Sequence, residues 1–322
     1  MTEHRATDPR GAGVRSRIAA AFRAAGIAAL AFALASACEV TRTGAPKSSS
    51  DAPAESLLER TAWVTVKRLW FQRDGGIRAR ATLRIPRGAK PRSLACVVIA
   101  GGHEHGWMTA EYLHAGPGVA LLSVDYPYEG PRRSISRDQI DDVVPKVWRA
   151  TRDMAPLLRD AGDYVAGLRE IDSTRIVIVG ASLGVPFVLK AAAEDPRFSG
   201  VAVLYGAADL GAWAERNIKG IPGWTRPLVR GATRAVFHDL EPERLIPKIS
   251  PRPVLIVSGR KDEMIPEDLA QRLFDAAKEP KEQVWLDTRH MNPGDTDLTW
   301  RLMRIAFDWA KRHGFVAVAT RR

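Results

Sequence analysis

Three residues far apart in the chain have the types and surroundings for nucleophilic acyl chemistry. Ser182 stands in Gly180-Ala-Ser-Leu-Gly184, directly after the apolar, β-branched run RIVIV. A serine hydroxyl is a poor nucleophile at neutral pH; it needs a base to take its proton and a carboxylate to orient that base. Of the seven histidines, His290 is the candidate base, because it follows the apolar run QVWLD by a few residues and precedes an amphipathic segment. Asp262 is the candidate acid, just past PVLIVSG in the stretch RKDEMIP. Asp209, after VAVLYGAA, is the second candidate, since either keeps the order serine, acid, histidine. Glu263, beside Asp262, is expected to point another way. Each residue also has a plainer reading: Ser182 as a helix cap, His290 as a solvated loop residue, Asp262 as an N-cap ahead of Pro266.

The glycines around Ser182 make the tight strand-to-helix turn plausible. They remove side chains where the turn packs against its neighbours and tolerate unusual backbone angles. A helix beginning near Leu183 would aim free N–H groups at an oxyanion forming beside the serine. Pro186 suits the first turn of that helix, where its missing N–H costs little. Two donors are needed for the developing charge. One is assigned to the backbone N–H of Leu183 and the other to that of His103, with Gly102 as the fallback, in the Gly101-Gly102-His103 loop after CVVIA. His103 and His105 form a His-x-His pair without a third ligand at recognisable spacing, so no metal site is assigned. No cofactor is expected.

These residues need a scaffold, and the pattern supplies one. WVTVKRLWF and IRARATLRI alternate apolar and polar residues around Asp74-Gly75-Gly76, a hairpin signature. LACVVIA and VALLSVDY read as strands buried on both faces, and RIVIVG, VAVLYG, PVLIVSG and QVWLD as further strands. Helical periods separate several of them: residues 138–168, which Pro145 and Pro156 should bend or split, the segment carrying Leu269, Leu273, Phe274 and Ala277, and a closing helix through Leu298, Leu302, Ile305 and Trp309. This alternation predicts an α/β fold: a mostly parallel twisted sheet flanked by helices, opened by an antiparallel N-terminal hairpin. Residues 210–249 are too long for a plain connection and carry Trp213, Trp224 and Phe237. They read equally as a helical lid over a pocket or as ordinary helices with core aromatics.

The chain has 322 residues and a formal net charge of +11, with its arginines scattered rather than massed in a stripe. That distribution does not point to nucleic-acid binding. Of the two cysteines, Cys96 reads as a buried strand residue and Cys38 ends an apolar segment, so no disulfide is predicted. Residues 1–37 have the form of an export signal: Arg5, Arg10, Arg15, Arg17 and Arg23, then AAGIAALAFALASA. The segment resembles a bacterial lipoprotein signal, which makes Cys38 the lipidation candidate, although Ala35 rather than Leu34 stands three places before it. Cleavage and release, an uncleaved anchor, and no export are the alternatives. Residues 38–60 are expected to form a flexible tether to a folded domain over 61–316, with membrane attachment only through the N-terminus.

Taken together, GASLG, RKDEMIP and the serine, acid, histidine order resemble the α/β-hydrolase superfamily, in particular its serine esterase and dienelactone-hydrolase-like branch. Dienelactone hydrolases proper use a cysteine nucleophile, so Ser182 argues for a serine esterase. Two further departures are Val185, where many relatives have glycine, and the absence of the His-Gly-Gly-Gly run of one lipase group. The resemblance implies hydrolysis of a small-molecule carboxylic ester through an acyl-enzyme, with Ser182 as nucleophile, His290 as base and Asp262 as its orienting acid. A peptidase, thioesterase or acyltransferase would share that triad, and a non-catalytic surface-anchored binding protein would share the fold.

Overall fold

A computed structural model describes residues 53–73, 77–102, 106–113, 115–116, 118–128, 140–218, 222–292 and 294–316. The signal segment, Cys38, His103, His105 and the Asp74-Gly75-Gly76 turn lie outside them.

The described strands form one nine-stranded sheet: β1 (Ala54–Arg60), β2 (Val64–Arg73), β3 (Ile77–Pro86), β4 (Leu94–Ala100), β5 (Val119–Val124), β6 (Ile171–Ala181), β7 (Phe198–Leu204), β8 (Val254–Gly259) and β9 (Lys281–Leu286). They lie in the order β1-β2-β3-β5-β4-β6-β7-β8-β9. β2 and β3 pair antiparallel from Val64 opposite Pro86 to Arg73 opposite Ile77. β3 joins β5 antiparallel, and all pairs from β5 to β9 are parallel. β5 lies on one side of β4 and β6 on the other, so the strand order reverses there. In open α/β sheets the crevice at the carboxyl ends of such strands is where ligands bind.

β4, β5, β7 and β8 are nearly all apolar because helices cover both faces of the sheet there. On one face, Val98, Ile178, Val203 and Ile256 meet α2 (Ile140–Ala166) and α3 (Val185–Glu194), which follow the four-residue α1 (Thr109–Tyr112). On the other, Val177, Val179, Leu255 and Val257 meet Leu302 and Trp309 of the closing helix, Thr296–Arg312. The alternation of 176 and 178 against 177 and 179 is the period-2 geometry of a strand made visible.

Two sequence expectations need correction. The tether stops short of residue 60, because Ala54–Arg60 is strand β1, paired antiparallel with β2. Its Glu55 accepts hydrogen bonds from Lys67 Nζ at 2.7 Å and Tyr164 Oη at 2.5 Å. Of the two effects expected of Pro145 and Pro156, bending or splitting the long helix, the split does not occur: α2 runs through both. Val143, Val147, Met154, Leu157, Leu158 and Val165 are all buried on its inner stripe. At roughly 1.5–3 kcal/mol for each such side chain, burial outweighs the ~3 kcal/mol that an interior proline costs. Trp148, expected on that stripe, is 37% exposed and leans on Phe237 instead.

Between β7 and β8 the described residues of 210–249 include α4 (Leu210–Asn217), α5 (Arg226–Val236) and α6 (Pro242–Leu245). Phe237, Leu240, Leu245, Ile246 and Ile249 root it in the main core, while Trp224 is 76% exposed. Its entry is held by buried charge. Asp209 N-caps α4 through Ala212 N–H at 2.8 Å and faces Arg230 at 3.1 Å and Arg234 at 3.3 Å. Burial works against ionisation of Asp209, but the Ala212 N–H and the Arg234 and Arg230 guanidiniums outweigh it and hold its pKa below the usual value. The neighbouring Glu241 accepts from Leu210 N–H at 3.2 Å, and its other oxygen is buried with no partner among the described residues.

Burial, opposed by the Leu210 N–H and reinforced by the charge of Asp209, pushes Glu241 up to about 7. A raised acid pKa favours the protonated folded state. Its contribution is therefore full below the ordinary pKa near 4.5 and is lost as pH rises through about 7. The Tm advantage of Glu241→Gln over the wild type should accordingly grow from pH 4.5 to 7 and level off above. Thermal melts showing a pH-independent offset would count against this origin of the strain.

Candidate active site

β6 ends at Ala181, and the chain turns at once through a single 3-10 turn, Ser182–Gly184, into α3. Ser182 takes φ +51°, a left-handed conformation that costs a residue with a Cβ roughly 1–2 kcal/mol. The turn is that sharp because it is wedged against the end of β4. A Cβ on Gly184 would stand 2.1 Å from the carbonyl oxygen of Ala100, and one on Gly180 2.3 Å from a methyl of Val188. Gly184 itself has φ −67°, so space and not backbone angle demands glycine there. The helix proper starts at Val185, two residues later than the sequence suggested, with Pro186 in its first turn.

Ser182 Oγ lies 2.9 Å from His290 Nε2, and His290 Nδ1 lies 2.8 Å from Asp262 Oδ2. The side chains of His290 and Asp262 are 11% and 1% exposed. Three strand ends, those of β6, β8 and β9, thus converge on one hydrogen-bonded line. The second oxygen of Asp262 accepts from the N–H groups of Met264 and Ile265, both at 2.8 Å. These bonds fix the carboxylate in a turn. It caps no helix, since the next one, α7 (Glu267–Ala276), begins after Pro266. A carboxylate only accepts, so its partner Nδ1 carries the proton and Nε2 is left to accept from the serine. The other acid candidate, Asp209, is spent on the arginines and the cap of α4 and has no part in this line.

Glu263 does not point away as expected. Its Oε2 accepts from the backbone N–H of His290 at 3.3 Å. Hydrogen bonds from its own N–H and that of His290 hold its pKa below the usual glutamate value. Adjacent acids therefore hold the ring and the backbone of the same histidine. Nothing local announces this, because it depends on where the β9 loop lands.

Of the donor loop, Gly101 and Gly102 are described and His103 is not. The buried Tyr126 Oη donates to Gly101 O at 2.8 Å. Burial, with the charge of Asp125 adding to it, keeps the phenol protonated well above its ordinary range. In a trans peptide the carbonyl and the following N–H point oppositely. Tyr126 therefore turns the Gly102 N–H away from itself. Trp107, where the loop is described again, lies beneath both the Arg68 and Arg80 guanidiniums, each 4.6 Å from its ring centre. Among the described residues there is no group of three or more His, Cys, Asp or Glu placed to hold a metal ion.

Comparison with known proteins gives the family and the fold. A model of the dienelactone hydrolase family matches residues 114–288, more than half of the chain, a span that contains Ser182 and Asp262. The chain belongs to the dienelactone hydrolase family. Among curated proteins it is similar to the uncharacterized protein YfhR of Salmonella typhi, 24% identical over 217 residues, which are 62% of this chain and 74% of that protein. Among solved structures it is similar to an acetyl xylan esterase from Paenibacillus sp. R4, with 18% identity, 79% of this chain and 88% of the other covered, and a TM-score of 0.60. It is also similar to acetyl xylan esterase 1 from Thermoanaerobacterium sp. JW/SL YS485, at 17% identity, 88% and 92% coverage and a TM-score of 0.54. These likenesses carry the α/β-hydrolase fold.

The wedge at Gly184 has a measurable consequence. In Gly184→Ala the added methyl would meet backbone, which has no rotamer to yield. The variant should lose about 3 kcal/mol and some 10 °C in Tm, and Ser182 should react more slowly with a fluorophosphonate. Wild-type stability and labelling would show that the turn tolerates displacement from β4.

Proposed function

We propose that this protein is a serine hydrolase that cleaves carboxylic esters through an acyl-enzyme. The observation carrying the reading is the continuous hydrogen-bonded line from Ser182 Oγ through His290 to Asp262, starting at a strained residue on the carboxyl rim of the sheet. Family membership and the ester substrate class named for the structural neighbours support it.

In this reading Ser182 Oγ attacks the ester carbonyl as His290 Nε2 takes its proton. Asp262 holds the imidazole tautomer and balances the positive charge that appears on the ring. The Leu183 N–H and an N–H of the Gly102–His103 loop receive the oxyanion, with the Tyr126 bond to Gly101 setting the tilt of the Gly102 peptide. His290 then gives its proton to the leaving alkoxide and frees the alcohol. Water enters, loses a proton to Nε2 and attacks the acyl group; the serine oxygen leaves with that proton and the carboxylic acid departs. The helices of 210–249 are assigned the cover over the acyl site. α4 lies against the acid loop, with Trp213 near Ile265 and Asn217 Nδ2 donating to Met264 O at 3.0 Å.

Ser182→Ala should lower kcat for p-nitrophenyl acetate at least ~10⁴-fold without loss of fold, and Asp262→Asn about 10³- to 10⁴-fold. Steady-state assays beside circular dichroism check both; ester turnover surviving in Ser182→Ala would end the proposal. Thioester or anilide turnover without ester turnover would move the substrate class. For the N-terminus we propose export with Cys38 as the lipidated first residue of the mature protein. Mass measurement of protein extracted from membranes should then show a chain starting at Cys38 with added acyl mass; an intact N-terminus would refute it.

A further inference from the structure

His290 swings on two side-chain torsions, and one bond to Asp262 does not by itself fix the plane of its ring. Tyr205 supplies the missing wall. It is fully buried, one residue beyond β7, and its ring meets the imidazole edge to face, with centres 5.6 Å apart and planes at 80°. Its Oη is hydrogen-bonded to Thr288 Oγ1 at 2.7 Å, two residues before His290. The Tyr205 backbone has φ +58°, so it and Ser182 are both left-handed residues at the carboxyl ends of neighbouring strands. Non-glycine residues bear such strain where the surroundings over-determine it, commonly at working sites. Here Tyr205 N–H is held by Val257 O at 2.8 Å.

Room for the contact comes from Gly259 at the end of β8. A Cβ there would stand 2.6 Å from Thr288 O and 2.9 Å from Tyr205 Cε1. The Lys261 N–H then donates to Thr288 O at 3.0 Å, so the base's loop is gripped from both β7 and β8. Burial raises the pKa of the phenol above its ordinary value, which leaves it a neutral hydrogen-bonding group across the working pH range.

We propose that Tyr205 is a positioning residue for the reaction: through its ring and through Thr288 it locks the His290 imidazole in the orientation that receives the Ser182 proton. This rests on the Ser182–His290–Asp262 reading above. A Tyr205 that only fills the core would affect stability and leave the chemical step alone.

The test compares wild type, Tyr205→Phe, Thr288→Val, the double variant and His290→Ala with p-nitrophenyl acetate, and follows fluorophosphonate labelling of Ser182 in each. One net hydrogen bond predicts about a fivefold fall in kcat and in labelling rate for each single variant, with KM unchanged. The double variant should be no worse than either single one, because both break the same bond. Wild-type kcat in both single variants, or losses that multiply in the double, would overturn the proposal. Should Tyr205→Phe fail to fold, Thr288→Val decides alone, and a wild-type rate in it has the same force. Full turnover in His290→Ala would instead remove the underlying reading, and this proposal with it. An inactive His290→Ala beside unimpaired Tyr205→Phe and Thr288→Val would remove this proposal only.

Discussion

Gly184 lies so close to the carbonyl of Ala100 that only a hydrogen fits between them. This contact sets the spacing between the end of β6 and the end of β4, and much at the rim follows from it. It compresses the turn after Ala181 into three residues and drives Ser182 into left-handed backbone. It also brings the Gly101–Gly102 loop alongside the start of α3, where free helix N–H groups gather. The strain at Ser182 is affordable because β6 lies mid-sheet, paired on both sides and covered on both faces.

The same rim shows how environment divides the work of chemically similar groups. Asp262 and Asp209 follow neighbouring strands, and both are buried carboxylates. Asp262 takes two backbone N–H groups on one oxygen and the imidazole on the other, so its geometry serves His290. Asp209 faces arginines and caps α4, so it ties α4 to Arg230 and Arg234 of α5. Glu241, beside it, has one oxygen without a partner among the described residues and is driven toward protonation. Glu263, more exposed than these, secures the backbone N–H of His290. What separates these acids is the partner that folding brings to each, since side-chain chemistry alone does not.

Family and fold were legible in the chain because their signals are local. The parallel strands are continuous apolar runs bounded by turns, and residues 94–100 form a strand with the ends the sequence marked. The Gly-x-Ser-x-Gly turn between such a run and a helix singled out Ser182. His290 and Asp262 were marked as candidates by their places after later runs, since loops at the carboxyl ends of parallel strands share one rim whatever their separation along the chain.

Other features depended on contacts between distant segments. β1 has the composition of a linker and becomes a strand only because β2 offers an edge to pair with. α2 keeps its helix through two prolines because the sheet rewards its inner stripe. Glu263 and Tyr205 carry no motif at all; each touches the His290 loop because β7, β8 and β9 end side by side. The order and type of the three candidate side chains belong to the sequence, where spacing and local pattern encode them. Their distances, the partner of each acid and the tilt of the His290 ring belong to the tertiary structure, because hydrogen bonds and close contacts act over a few ångströms between residues far apart along the chain.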